Sequence, residues 1–376
     1  MRYIKMHCFF KMGIILLLSS NFIPIYGNTK FDFEYEILEV NNLKVGECIR
    51  KALGTLDLGS GSFKAEAGVF EFCYEKPSKV INIFETESKF RAATKIDEFN
   101  IFSKNIKESM IETIRVLMTT LEKKIKTSDI TWRGFATAIF RKAENGKETI
   151  NEISKKINTK IVIISQEEEG LSRFLSFNKK PIWDTGGASS QIMWGEEMIL
   201  INFGSTNFNQ ALLKKLSKNE NNFYPLNSIP DFDFDIPQQK SDFPKSFIVA
   251  GGLFEKTIFG KICLKDCIDC PIGCNKNTVS IENIEKMLKT MLHKSKHELN
   301  EIYPEDTAFV DSYVTDFIFA YLIMKKLNIK KVTYRPFHAL NAIYPDIRNL
   351  ELNPTKLDLI KAKDCKINFS GETTCL

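Results

Sequence analysis

The sequence predicts an α/β protein of two similar lobes with a cleft between them, and three observations carry that prediction. An apolar strand ending in Asp, then a tight Gly/Ser turn and a second strand, occurs twice, at 56–64 and at 183–191. Each copy opens a longer unit of the form strand, turn, strand, strand, helix, and such a duplication implies two like-folded halves. The chain has 376 residues, 43% of them hydrophobic and 30 of them Phe, which is enough to bury two cores.

The elements follow in order. Residues 1–27 read as a secretory leader: Arg2, Lys5 and Lys11 form a basic start, 13–18 an apolar run, and Ile25-Tyr26-Gly27 a cleavage site. The apolar run is too short to span a bilayer comfortably, so no stable span is expected after cleavage; a retained anchor is the alternative. Removing the leader lowers the net charge from +5 to +2. A nearly neutral mature chain gives no reason to invoke nucleic acid or an anionic membrane as partner.

Residues 28–47 form a polar lead-in. Lobe I, 48–177, begins with a hairpin that continues into a strand at 80–84. Ile106, Met110, Ile114, Leu117 and Leu121 recur at helical spacing within 100–125. A strand at 131–139, a helix at 145–157, a buried strand at 160–164 and a glutamate-led helix at 166–177 complete the lobe. Lobe II, 178–350, restarts the pattern with a strand ending at Trp183-Asp184, strands at 191–194 and 198–201, and a helix at 205–216. A polar loop at 219–246 leads to a strand ending in Gly251-Gly252. Helices near 281–298 and 306–327 and a strand near 330–334 follow, then a C-terminal tail, 351–376.

Nine cysteines, eight of them beyond Cys8, agree with export, since an even count in a secreted chain favours disulfides. If Asp57 faces Lys64 across the turn, residues whose numbers sum to 121 lie opposite one another, and Cys48 and Cys73 do so. Cys365 and Cys375 would close a small C-terminal loop. The run Cys263, Cys267, Cys270, Cys274 has the spacing of a four-thiolate zinc site, with two local disulfides as the alternative in an oxidising compartment.

The two turns carry the chemistry. Asp57 and Asp184 at strand ends are suited to a hydrated cation. Small turn residues, Gly59, Ser60, Gly61 and Ser62 in one copy and Gly186, Gly187, Ala188 and Ser189 in the other, let backbone N–H groups approach a phosphate. The cluster Glu167, Glu168, Glu169 lies between them in sequence. Phosphoryl transfer to water is the leading function; a charged helix N-terminus favoured by the dipole is the plainer reading of the glutamates.

These residues resemble those of the exopolyphosphatase/guanosine-pentaphosphate phosphohydrolase (Ppx/GppA) group of the actin-like ATPase superfamily, over about 50–350. The segments that carry the resemblance are 57–62, 136–145, 164–170, 184–190 and Ala250-Gly251-Gly252, five in order at matching spacing. The resemblance implies two ribonuclease H-like lobes and a hydrolase that releases phosphate from polyphosphate or (p)ppGpp-like nucleotides, which the leader read above would export; a homodimer is compatible with it. Glu169 takes the family's general-base position, where Glu167 and Glu168 would raise its pKa by repulsion. Arg141 would clamp a terminal phosphate, Gly251 and Gly252 would line the cradle, and Asp57 and Asp184 would hold Mg²⁺ through water. Glu168 and Gln191 would position water.

The sequence departs from the family in four places. Gly61 stands where Asn is usual, Gln166 where Gly is usual, Ala188 where a third Gly is common, and Gln191 where an acidic residue is usual. The Gly-Gly-Ala-Ser-Ser-Gln string is similar instead to apyrases, which hydrolyse nucleoside tri- and diphosphates. A non-catalytic phosphate- or nucleotide-binding protein is the reading from another class. His293 and His297, four apart, have no accompanying Glu of a metalloprotease and read as a solvated face; His338 reads as structural.

Overall fold

The computed structural model describes residues 22–24, 44, 47–73, 76–216, 225–236, 242–259, 277–302, 310–344, 352–357, 365–367 and 373–375. It opens with a short strand, β1 (Phe22–Pro24), inside the segment read as a leader. Lobe I is a six-stranded sheet of β2 (Cys48–Leu58), β3 (Phe63–Cys73), β4 (Lys76–Ser88), β5 (Ile130–Ala136), β6 (Lys160–Ile163) and β13 (Thr355–Lys356). The order is β13-β4-β3-β2-β5-β6. The hairpin register sets Asp57 opposite Lys64, and Cys48 opposite Cys73, where a disulfide closes the open end.

Strand alternation gives this sheet two unlike faces. Leu56, Leu58, Ala65 and Ala67 point to one face and pack beneath α1 (Lys104–Ile125) and α3 (Gly146–Ile157). Helix α1 starts where the Ser103 hydroxyl accepts from the Ile106 N–H, and stops at Lys126 in the left-handed region. The opposite face changes character along its length. Leu53, Phe70, Phe72, Ile83 and Phe135 form an apolar half, whereas Thr55, Asp57, Lys64, Glu66 and Glu85, on the same face of their strands, are polar. The polar half walls a cleft.

Lobe II repeats the plan. Its strands are β7 (Ile182–Thr185), β8 (Ser190–Trp194), β9 (Glu197–Ile201), β10 (Ser246–Ala250), β11 (Thr278–Ser280) and β12 (Lys331–Tyr334), in the order β1-β9-β8-β7-β10-β12-β11. In lobe I, β4, β3 and β2 run antiparallel and β2, β5 and β6 parallel; in lobe II, β9, β8 and β7 run antiparallel and β7, β10 and β12 parallel. The duplication read from the sequence is therefore a duplication of topology. Helices α5 (Ser205–Lys215), α6 (Ile281–Leu292) and α8 (Val310–Lys326) cover a core containing Trp183, Phe208, Phe247 and Phe317.

Three details differ from the sequence reading. The expected helix over 281–298 is two, α6 and α7 (Lys296–Ile302), because the Glu298 carboxylate accepts from the Ser295 N–H and hydroxyl and starts a new helix. The chain returns to lobe I before residue 350: α9 (Ala339–Ile343) covers the apolar half of the first sheet. Next, β13 pairs with β4. A two-stranded ribbon, β14 (Cys365–Ile367) with β15 (Thr373–Cys375), sets Cys365 across from Cys375 in its backbone register. The side chains of that pair, and the Cys263–Cys274 run, lie outside the described residues. Among the described residues no helix is long and apolar enough to cross a membrane.

Candidate active site

Both Gly/Ser turns close in the same way. The Gly59 N–H donates to the Ser62 carbonyl and the Gly186 N–H to the Ser189 carbonyl, each at 3.0 Å. Later segments then hold the turns. Arg91 N–H bonds the Gly61 carbonyl, Ala93 N–H that of Ser60, and Ser205 and Thr206 N–H those of Gly186 and Gly187. The Ala188 carbonyl accepts from the Asn207 amide at 3.0 Å. The two turns thus sit at equivalent ends of equivalent sheets, with Asp57 closing β2 and Asp184 on β7, one to each lobe.

Gly251 has φ of +92°, and a Cβ there would lie 2.2 Å from the Thr185 carbonyl and 3.0 Å from Asp184 Oδ1. The late glycine pair therefore lets β10 turn away directly against Asp184, while Gly252 is exposed. Gly251→Ala should displace Asp184 and destabilise the fold by about 1–3 kcal/mol, the usual scale of backbone strain. An unchanged urea midpoint would remove that role.

Helix α4 (Gln166–Ser176) lies between the lobes and supplies most of the ionisable groups. The Ser165 hydroxyl accepts from the Glu168 N–H at 3.1 Å and the Glu168 carboxylate from the Ser165 N–H at 2.6 Å, a closed capping box. The helix-start reading thus describes Glu168. Glu169 is different: 7% exposed, it accepts from both Nη atoms of Arg141 at 3.2 Å, while Arg141 Nη1 also donates to the Ile164 carbonyl at 2.7 Å. Arg141 follows β5 on the short helix α2 (Ala138–Lys142).

Burial pushes the Glu169 carboxyl up to about 7, Asp184 and Asp57 reinforce this, and Arg141 and Arg173 oppose it. The direction agrees with the sequence reading, but the cause does not. Glu167 and Glu168 precede Glu169 on a helix, where adjacent residues point to different faces, so desolvation and the two aspartates do the work.

Arg173, which motif reasoning passed over, is the largest addition. It stands four residues after Glu169 on the same helix face, the spacing that was available as a signal. Its Nε donates to Asp184 Oδ2 at 3.0 Å, and its Nη2 lies 3.6 Å from Asp57 Oδ2. The guanidinium carbon sits 3.4 Å from the Phe337 ring centroid and 5.7 Å from that of Phe135. Burial raises the Asp57 carboxyl against the pull of Arg173 and Lys64.

A polar cavity of about 70 Å³ opens beside this pair, lined by Asp57, Lys64, Glu66, Glu85, Asp184 and Glu255 among others. Buried His338 approaches Glu66 at 3.2 Å through Nδ1, and Glu66 also accepts from the Leu340 N–H, which fastens α9 to lobe I. His297 faces Glu301 on an exposed helix.

Two departures acquire a place. Gln166, in the usual glycine position, donates to the Ser190 and Ile201 carbonyls at 3.2 and 3.3 Å and ties α4 to lobe II. Gln191, opposite Asp184 in the β7–β8 register, donates to the Ser189 hydroxyl at 3.2 Å. Its buried Oε1 has no partner among the described residues.

Two lobes of duplicated topology, a Gly/Ser turn and an aspartate from each, and a buried carboxylate between them make the two-lobed α/β fold of actin-like ATPases. The pattern of the Ppx/GppA phosphatase family matches residues 74–337, so the chain belongs to that family and is a phosphoanhydride hydrolase. A Ppx/GppA family member from Aquifex aeolicus has a similar structure, with a TM-score of 0.55, 15% identity, and 78% of this chain and 96% of that one covered. An exopolyphosphatase from Cytophaga hutchinsonii gives a TM-score of 0.50 at 12% identity over 76% and 94%. No curated protein sequence matches the chain directly.

Proposed function

We propose that this chain is an exported exopolyphosphatase-like hydrolase that removes terminal phosphate from polyphosphate or a (p)ppGpp-like nucleotide by attack of a Glu169-activated water. The observation that carries this reading is Glu169 itself, a carboxylate buried between the lobes, aimed by both Nη atoms of Arg141 and pushed up to about 7 by its burial. In this reading the turns at Gly59–Ser62 and Gly186–Ser189 present N–H groups to phosphoryl oxygens, with Gly251 and Gly252 alongside. Glu169 takes a proton from the water as its oxygen bonds to phosphorus, and the bridging P–O bond breaks toward the leaving phosphate. Arg141 holds the carboxylate in line and keeps part of it ionised. Gln191 Oε1 orients the water by accepting its second proton in a hydrogen bond.

The family resemblance implies Mg²⁺ supported by Asp57 and Asp184. Both carboxylates are paired with Arg173, so the residues as arranged do not fit a cation held between them, and no step is assigned to one. The leader and the Cys48–Cys73 disulfide support export. Cleavage after Gly27 would also remove β1 and leave β9 at the sheet edge.

A panel of polyphosphate, guanosine pentaphosphate and ATP, read as phosphate release, tests the assignment. The first two should be cleaved faster than ATP. Preference for ATP and ADP would favour the apyrase-like reading that the Gln191 string supports, and no release from any would favour a binding protein. Gln191→Glu should lower turnover, because it loses a donor to Ser189 and adds negative charge beside the phosphate and Glu169. An unchanged rate would place Gln191 outside the working site.

A further inference from the structure

We propose that Arg173 takes the place of a resident divalent cation, neutralising Asp57 and Asp184 so that this chain holds no metal on that pair. The inference rests on the hydrolase reading only for its meaning in catalysis; its test does not.

The guanidinium spans the two lobes as a bridging ion would. It meets one Oδ2 from each aspartate, at 3.0 Å to Asp184 and 3.6 Å to Asp57. Arginine cannot yield its proton to make room for a metal. Nor is the side chain free to swing away. It is 6% exposed, holds its guanidinium carbon 3.4 Å from the Phe337 ring centroid, and is anchored in a helix whose Phe174 packs against Ile182, Met193 and Met198 of lobe II. A divalent ion bound to the same carboxylates would sit within a few ångströms of a fixed like charge in a desolvated site, where screening is weak. Mg²⁺ in addition keeps an octahedral shell with several waters, whereas the carboxylate oxygens that would face it, one Oδ2 from each aspartate, are already engaged by the guanidinium. Any divalent ion in the reaction then arrives with the phosphate chain of the substrate.

The arrangement has a sequence logic. Glu169 and Arg173 stand one turn apart on α4, so a single helix delivers both the base and the balancing charge. Arg173 thereby serves as a positioning residue, fixing Asp57 and Asp184 without touching the reacting water.

Mn²⁺ titrated into the purified, substrate-free chain and followed by its paramagnetic resonance signal tests this without reference to activity. Wild type should leave the free-ion signal unchanged through millimolar Mn²⁺. Arg173→Met, close in length and able to keep the contact with Phe337, should remove one equivalent of Mn²⁺ per chain and gain thermal stability from it. Arg173→Met combined with Asp57→Asn should lose that site. Saturable binding by wild type that Asp57→Asn abolishes overturns the proposal, and so does a folded Arg173→Met variant that binds nothing. If Arg173→Met does not fold, refolding it with Mn²⁺ decides. Recovery shows a cation taking the arginine's place, and failure counts against it. Absence of phosphate release from every substrate alongside the expected Mn²⁺ pattern would sink the hydrolase reading and leave this one standing.

Discussion

Glu169→Gln should lower kcat by roughly 10²–10⁴, the range for loss of a general base, while leaving the fold intact. The amide is nearly isosteric and keeps an acceptor for Arg141, so circular dichroism and the thermal midpoint should change little. The pH profile gives the independent check. A base acts only when deprotonated, and burial holds the Glu169 carboxyl at about 7. Activity in wild type should therefore rise with pH through about 7 and level off above it. Arg141 lowers that pKa, so Arg141→Met should move the rising limb to higher pH as well as reduce the rate. A limb near the ordinary carboxylate value in wild type, or full activity in Glu169→Gln, would remove Glu169 from the role.

Asp184→Asn should cost about 3–5 kcal/mol of stability, because removing one partner of a buried ion pair leaves the other charge uncompensated. Asp184 is 4% exposed and accepts from Arg173 Nε at 3.0 Å; the remaining contact of Arg173, to Asp57, is longer at 3.6 Å. Urea unfolding should show a lower midpoint with an unchanged slope. A loss below about 1 kcal/mol, the scale of a solvated surface pair, would mean that water screens this contact and that the lobes are not clamped by it.

Where local rules decide, the sequence was a sufficient guide. The Asp57–Lys64 turn fixes a register in which every later pairing of that hairpin follows, and so it delivered Cys48 to Cys73. Helical spacing located α1, and the repeated strand–Asp–turn pattern exposed the duplication. Legibility ended where contacts are long-range. Glu66 and His338 lie 272 residues apart, and nothing near either one announces the other. The return of α9 to lobe I depends on an apolar half-face assembled from three strands and β5, which no single window contains. The break between α6 and α7 turns on the weak signal of Ser295 and Glu298. Arg173 was readable as Glu169 plus four, but its meaning required both aspartates to be in view.

Because α4 is ion-paired to lobe I through Arg141–Glu169 and Arg173–Asp57, and is held to lobe II by the Arg173–Asp184 ion pair and the hydrogen bonds of the Gln166 amide, it acts as a crossbar and not as a strap. Rotating the lobes apart about the cleft would have to tear at least one of these links in a place where water is scarce. The cleft is therefore braced at its root, and opening it would cost buried ion pairs and not only solvated surface contacts.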